Sequence, residues 1–209
     1  MIVYDFPQGS DPWKQARLGV VTASGLDRIL TGKTLKPSAQ QDAYLHQLVA
    51  EMVIGAPLDD ASSEFMERGV QMEGEAADFY AYSRGSTLST VGFITRDDGR
   101  VGCSPDRLVG DDGLLEIKCP AAHTHVSYVI NPDALVTAYR AQVQGQMLVT
   151  GRKWVDLMAF NPAMSEVVVR VEPDKKYLDA LVPELESFLK RLDEALAKVR
   201  PVTSENPFA

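Results

Sequence analysis

Apolar and polar positions alternate most clearly over residues 114–119. Leu114, Glu116 and Lys118 fall on one side of a strand, and Leu115, Ile117 and Cys119 on the other. A carboxylate and an ammonium therefore sit side by side on an otherwise apolar strand. Just upstream, Gly110-Asp111-Asp112-Gly113 is a strong turn sequence and predicts a hairpin. The fold-back would carry Asp106, ten residues before Glu116, towards that carboxylate. Strands are also predicted over 88–95 and 100–103, and over 154–160 and 166–171 with a turn at Asn161-Pro162.

Helical spacing governs the remainder. A helix is predicted over 39–54, with Tyr44, Leu48 and Met52 on one stripe and Gly55 behind it. Another runs over 63–82, with Met66, Val70, Ala77 and Tyr80 on its stripe, and a third over 134–149. The last runs over 174–199, with Tyr177, Leu181, Leu185, Phe188, Leu192 and Leu196 facing the core. Gly19 punctuates residues 13–30, and Thr22 or Ser24 can cap a short helix after it. Residues 200–209 read as a loose tail.

Several polar residues interrupt these patterns. Glu73 falls in the middle of the apolar stripe of the 63–82 helix, whereas Glu67, Glu75 and Asp78 lie off it. An ionised carboxylate on a core-facing stripe is costly unless it is paired or bound to a metal. Glu73 is therefore a candidate ligand, or else the partner of Lys118 or an arginine. Two carboxylates and a lysine at the lip of a sheet suit a divalent cation and a water to be activated. The plain alternative is a hairpin with a surface ion pair. Arg17 precedes the short helix start, and a helix N-terminus beside an arginine makes an anion site; a capped helix with a surface arginine is the alternative. Tyr139, Gln142 and Gln146 share a helix face, which fits phosphate or water contacts, or packing on a polar element. His123 and His125 lie in a predicted loop after Pro120; two histidines can ligate metal, but no further ligand stands beside them. His46 reads as structural.

Composition narrows the classes. The 209 residues suit one domain, with 45% hydrophobic and 24% charged residues, ordinary for a globular protein. No apolar run reaches the length of a membrane span, and the N-terminus lacks the pattern of a signal peptide. Cys103 and Cys119, the two cysteines, read as reduced thiols of a cytoplasmic protein. The net charge of −8 excludes a nucleic-acid binder that works by bulk positive charge. It leaves room for a nuclease, whose clustered carboxylates hold metal ions that restore positive charge locally.

Glu73, Asp106, Glu116 and Lys118 together resemble the PD-(D/E)xK nuclease superfamily. Pro105-Asp106 and Glu116-x-Lys118 match its signature as it stands. The chain more closely resembles the phage lambda exonuclease family, also called YqaJ-like viral recombinases. Five segments carry this resemblance, in order and over nearly the whole chain: residues 17–24, 69–75 around Glu73, 103–106, 115–120 and 138–144. Each is a weak signal and the set in register is a strong one. The resemblance implies an α/β (α+β), restriction-endonuclease-like core with a central mixed β-sheet flanked by helices. It implies an alkaline-type exonuclease that degrades the 5′-ended strand of linear double-stranded DNA and leaves 3′ overhangs for strand annealing. It further implies a ring-shaped homotrimer, a single-strand annealing protein as partner, and a phage or prophage origin with action in the bacterial cytoplasm. A ring that threads DNA would replace much of the electrostatic grip that an acidic chain lacks.

Carried over residue by residue, the resemblance places Asp106 between two Mg²⁺ ions, with Mn²⁺ as a possible substitute. Glu116 and the Ile117 carbonyl would hold one ion and Glu73 the other, while Lys118 would orient or deprotonate the attacking water. Arg17, Ser24, Ser104 and Gln142 match positions that cradle the 5′-phosphate, Tyr139 matches one lining the site, and Met66 aligns with a strand-separating wedge. Arg68, Arg140 and Gly145 depart from the family pattern in the polar surroundings. An endonuclease or repair nuclease on the same core, or a silent DNA-end-binding subunit, are the competing readings.

Overall fold

Two mixed sheets carry the chain, described over residues 1–58 and 64–199, the side chains of 64–71 excepted, in a computed structural model. In chain order the strands are β1 (Ile2–Tyr4), β2 (Val21–Thr22), β3 (Leu88–Ser89), β4 (Phe93–Thr95), β5 (Val101–Cys103), β6 (Arg107–Val109), β7 (Gly113–Lys118), β8 (Trp154–Ala159) and β9 (Val167–Val171). The helices are α1 (Asp11–Ala16), α2 (Gln41–Ile54), α3 (Glu64–Arg84), α4 (Ala122–Ile130), α5 (Pro132–Thr150) and α6 (Lys175–Lys198), with a 3-10 helix at Ala23–Arg28. One sheet has the order β1-β4-β5-β2 and the other β3-β6-β7-β8-β9. Parallel pairing joins β2 to β5 and β7 to β8, and the other pairs are antiparallel. The expected α+β class is therefore met, with the central sheet divided in two.

The predicted hairpin forms as the turn sequence dictates. β6 and β7 pair antiparallel with Val109 opposite Gly113, and Gly110 takes a φ of 51°, a conformation that a residue with a side chain resists. The alternation of β7 sorts its side chains between two cores. Leu114 joins Val143 and Met147 of α5, while Leu115 and Ile117 join Ala76, Ala77 and Tyr80 of α3. So the sheet is buried on both faces, by α5 on the Glu116 side and by α3 on the other.

α5 serves both halves of the molecule. Val143 and Met147 pack on the five-stranded sheet, and Ala141 and Val149 belong to the core around β2, β5 and α6. Gly145 allows this close fit: a Cβ there would fall 2.3 Å from Leu26 and 3.1 Å from the Ala23 Cβ in the 3-10 helix. α6 begins at Asp174, whose carboxylate caps Tyr177 N–H at 3.0 Å, and buries Tyr177, Leu181, Leu185, Phe188 and Leu192 along its apolar stripe.

Buried polar contacts fix α3 on its sheet. Tyr80 donates to Asp156 Oδ2 of β8 at 2.5 Å, and Arg170 of β9 grips the same carboxylate through Nε at 2.8 Å and Nη2 at 2.9 Å. The Arg170 guanidinium also stacks 3.7 Å above the Trp154 ring.

Four expectations are corrected. The strand expected over 88–95 is two strands, β3 and β4, in different sheets. Gly92 sits at the crossing, where the backbone of Phe6 approaches so closely that a Cβ would lie 2.0 Å from its carbonyl oxygen. Met52 does not join the buried stripe of α2, which consists of Tyr44, Leu45, Leu48 and Val49; it is 42% exposed and lies against Gly19. The loop expected around His123 and His125 is the helix α4, because His125 and Tyr128, one turn apart, are both drawn inward. Thr22 stands at the N-cap of the 3-10 helix without a capping side-chain bond; its hydroxyl meets Ser24 Oγ at 3.2 Å instead. The expected tail, and the Met66 and Val70 side chains, lie outside the described residues. Among the described residues no helix is long and apolar enough to cross a membrane.

The Gly92 crossing is a direct test of this packing. Gly92→Ala is expected to destabilise the protein by about 3 kcal/mol, read as a lowered urea midpoint, because backbone rather than a flexible side chain must yield.

Candidate active site

β7 ends in a cluster of charge that the sheet cannot solvate. Glu116 is 2% exposed and Asp106 8%. Asp106 closes the gap between β6 and β7 by accepting the Ile117 N–H on Oδ2 at 2.5 Å. The same carboxyl is hydrogen-bonded to Glu73, which α3 presents seven residues, about two turns, before Tyr80. The carboxylate on the α3 stripe thus meets another carboxyl, not the lysine or arginine that an ordinary ion pair would require.

Glu116 turns the other way, towards α5. Its Oε1 accepts Lys118 Nζ at 2.6 Å and the Gln142 amide, and its Oε2 accepts Gln146 Nε2 at 2.6 Å. The ammonium of Lys118 lies 4.7 Å from the centre of the Tyr139 ring. The helix face of Tyr139, Gln142 and Gln146 is therefore directed at the Glu116–Lys118 pair.

The electrostatics follow from burial. Desolvation raises the Asp106 pKa well above the ordinary carboxylate value, and Glu73 adds to the rise against the Ile117 N–H and Lys118. Glu116 is pushed up to about 7 by burial and by Asp106, with Lys118 and Gln146 opposing. Burial would lower the Lys118 pKa, but Glu116, Asp106 and Tyr139 outweigh it and hold the amine above its usual value. In this state Lys118 is a hydrogen-bond donor and has no lone pair with which to accept a proton.

Oxygen donors of this kind suit a hard divalent cation. Among the described residues no three carboxylate, histidine or cysteine side chains converge as a ready-made metal cluster. The fit lies in the chemistry. Burial and Glu73 raise Asp106, and burial and Asp106 raise Glu116 in spite of Lys118, so the site calls for further positive charge, which a cation beside Asp106 would supply.

A second cluster gathers around Trp13. Its indole N–H lies 2.9 Å from Ser104 Oγ and 3.2 Å from the Gly92 carbonyl, while the Arg17 guanidinium stacks 4.2 Å above the ring. Burial lowers the Arg17 pKa, with Tyr44, Cys103 and Glu51 opposing. Arg17 and Ser104 are thus brought together, and Trp13, which sequence reasoning passed over, is what joins them. An aromatic four residues before an arginine on a short helix was the available signal. Ser24 is exposed beside Thr22, and Gln142 is engaged by Glu116. His125 is fully buried with Nε2 2.9 Å from the Ser165 carbonyl, and His123 is exposed on the same helix. Neither Cys103 nor Cys119 is in a disulfide; burial and Glu116 push the Cys103 thiol far up, so it is inert.

A hairpin aspartate, a strand Glu-x-Lys and a helix glutamate on this α+β core define a PD-(D/E)xK-type protein. The chain belongs to the family of the YqaJ-like viral recombinase domain, whose profile matches residues 12–153. It is similar in structure to an alkaline exonuclease, LHK-Exo, from Laribacter hongkongensis, with 30% identity, 90% of this chain and 95% of that chain covered, and a TM-score of 0.77. The structure of LHK-Exo in complex with dAMP gives 32% identity, the same coverage of 90% and 95%, and a TM-score of 0.80. A phage-related exonuclease from Haemophilus somnus 129PT shares the fold at 14% identity and a TM-score of 0.68, over 86% of this chain and 96% of that chain. Comparison with curated proteins returned no match.

The raised Glu116 pKa has a measurable sign. A carboxyl that binds its proton more tightly when folded costs stability once pH rises above its unfolded pKa, and the cost is complete above the folded value of about 7. In EDTA, the stability of wild type relative to Glu116→Gln is expected to fall between pH 4.5 and 7 by on the order of 3 kcal/mol, then level off. Urea unfolding of both proteins across that range would refute the assignment if the difference stayed flat.

Proposed function

We propose that the protein is a Mg²⁺-dependent exodeoxyribonuclease that degrades the 5′-ended strand of linear double-stranded DNA, leaving 3′ overhangs for phage-type recombination by strand annealing. The observation that carries this reading is the meeting of Asp106, Glu116 and Lys118 at the end of β7, with Glu73 reaching Asp106 from α3. Family membership and the likeness to an alkaline exonuclease support it. So does the dAMP held by LHK-Exo, since a nucleoside monophosphate is what an exonuclease releases from DNA.

Asp106, Glu116, the Ile117 carbonyl and Glu73 would hold the two Mg²⁺ ions, and Mn²⁺ has the coordination chemistry to substitute. When bound, the cations polarise the scissile phosphate and acidify the attacking water. Lys118, kept protonated by its neighbours, donates Nζ to that water or to a phosphate oxygen and so orients the attack. Arg17 and Ser104, joined through Trp13, take the terminal 5′-phosphate, with Ser24 and Gln142 as its other contacts and Tyr139 lining the site. Met66 is proposed as the wedge between strands. The ring-shaped homotrimer and the single-strand annealing partner come from the same family reading. On that reading the protein acts in the cytoplasm of a bacterial host cell and is of phage or prophage origin.

Digestion of linear duplex DNA in Mg²⁺ tests this. The 5′-phosphorylated end is expected to be consumed and a closed circle left intact; cutting of the circle would establish an endonuclease instead. Lys118→Ala should lower kcat by about 100- to 10,000-fold. Arg17→Ala should erase the preference for 5′-phosphate over 5′-hydroxyl ends, a loss of about tenfold or more in kcat/KM.

A further inference from the structure

Gln146 has no part in the reading above, yet it makes the deepest contact with Glu116. It is 1% exposed, and its Nε2 donates to Glu116 Oε2 at 2.6 Å. One turn earlier on α5, Gln142 serves the other oxygen, Oε1, together with Lys118. The two amides therefore divide the carboxylate between them. Gln142 is half-buried on the side of Lys118 and Tyr139, and Gln146 lies beneath. Resting on the proposed nuclease function, we infer that Gln146 is a positioning residue for that reaction, fixing the plane of the Glu116 carboxylate so that it presents one set of lone pairs to a divalent cation.

Three observations carry this. First, Glu116 is held at both oxygens, so rotation about its terminal bond would break a charge-assisted hydrogen bond at each end. Second, the amide of Gln146 has little freedom of its own. Its neighbour Gly145 sits against Leu26 and Ala23, which pins α5 at this turn, and Val143 and Met147 on either side are buried in the core of the sheet. Third, Gln146 Oε1 is buried and has no hydrogen-bond partner, so this side chain is kept there at a cost. A glutamine retained only for packing would be replaced to advantage by methionine, which has nearly the same shape and no amide to bury. The amide is explained if its donor is needed by Glu116. Groups that orient a metal ligand from behind are worth about 10- to 100-fold in metal affinity.

The test substitutes Gln146→Met, which keeps the volume and removes the donor, and Gln146→Asn, which keeps the amide and shortens its reach. Binding of Mn²⁺ to the full chain without DNA is followed by calorimetry, beside KM and kcat on 5′-phosphorylated duplex. Both variants are expected to bind Mn²⁺ about 10- to 100-fold more weakly, with KM for DNA unchanged and kcat partly restored at raised Mn²⁺. Affinity equal to wild type in either folded variant overturns the proposal, as does a loss of thermal stability with no change in Mn²⁺ affinity. If wild type itself neither binds Mn²⁺ nor cuts DNA, the nuclease reading falls and this one with it. If wild type does both and the variants match it, only the role of Gln146 is lost.

Discussion

The buried carboxylate of Glu116 is the constraint around which the rest is arranged. A charge in the middle of a sheet covered on both faces is tolerable only when hydrogen-bond donors or a cation meet it. Here Lys118 answers from the same strand, and Gln142 and Gln146 from α5. What the donors leave uncompensated appears in the Glu116 pKa, pushed up to about 7 by its burial and then by the nearby Asp106. Such a site holds little spare stability and a large appetite for positive charge. A cation bound there would offset the acidity of the chain at the one place where a polyanion would have to approach.

Much of the fold was legible because local chemistry and global architecture agree. The turn at Gly110-Asp111-Asp112-Gly113, the alternation on β7 and the stripe of α6 each fix one element, and each element is where its pattern puts it. Glu73 stood out as a charge on an apolar stripe, and the structure gives it a carboxyl partner rather than a cation. The resemblance to a known family brought the same residues forward by a separate route.

What was not legible depends on contacts distant in sequence. The split of residues 88–95 between two sheets follows from Phe6 crossing at Gly92, and nothing within the segment announces it. The helix around His125 turns His125 and Tyr128 inward, and His125 meets the Ser165 carbonyl, forty residues on. Trp13 joins Arg17 to Ser104 across the four-stranded sheet. Gln146 is equivalent to Gln142 by its place on the helix face, and only burial and the Glu116 oxygen that each serves separate them. Periodicity reports which face a residue occupies, but not what lies opposite.

α5 belongs to two cores at once, with Gly145 removing the last space between it and the 3-10 helix. Mechanically, this makes the helix a beam clamped along its length. No hinge can run through it without opening both cores, so α5 ties the 3-10 helix and the four-stranded sheet to β7 and β8 as one body. Any rearrangement that leaves both cores closed has to fall on segments that do not rest on α5.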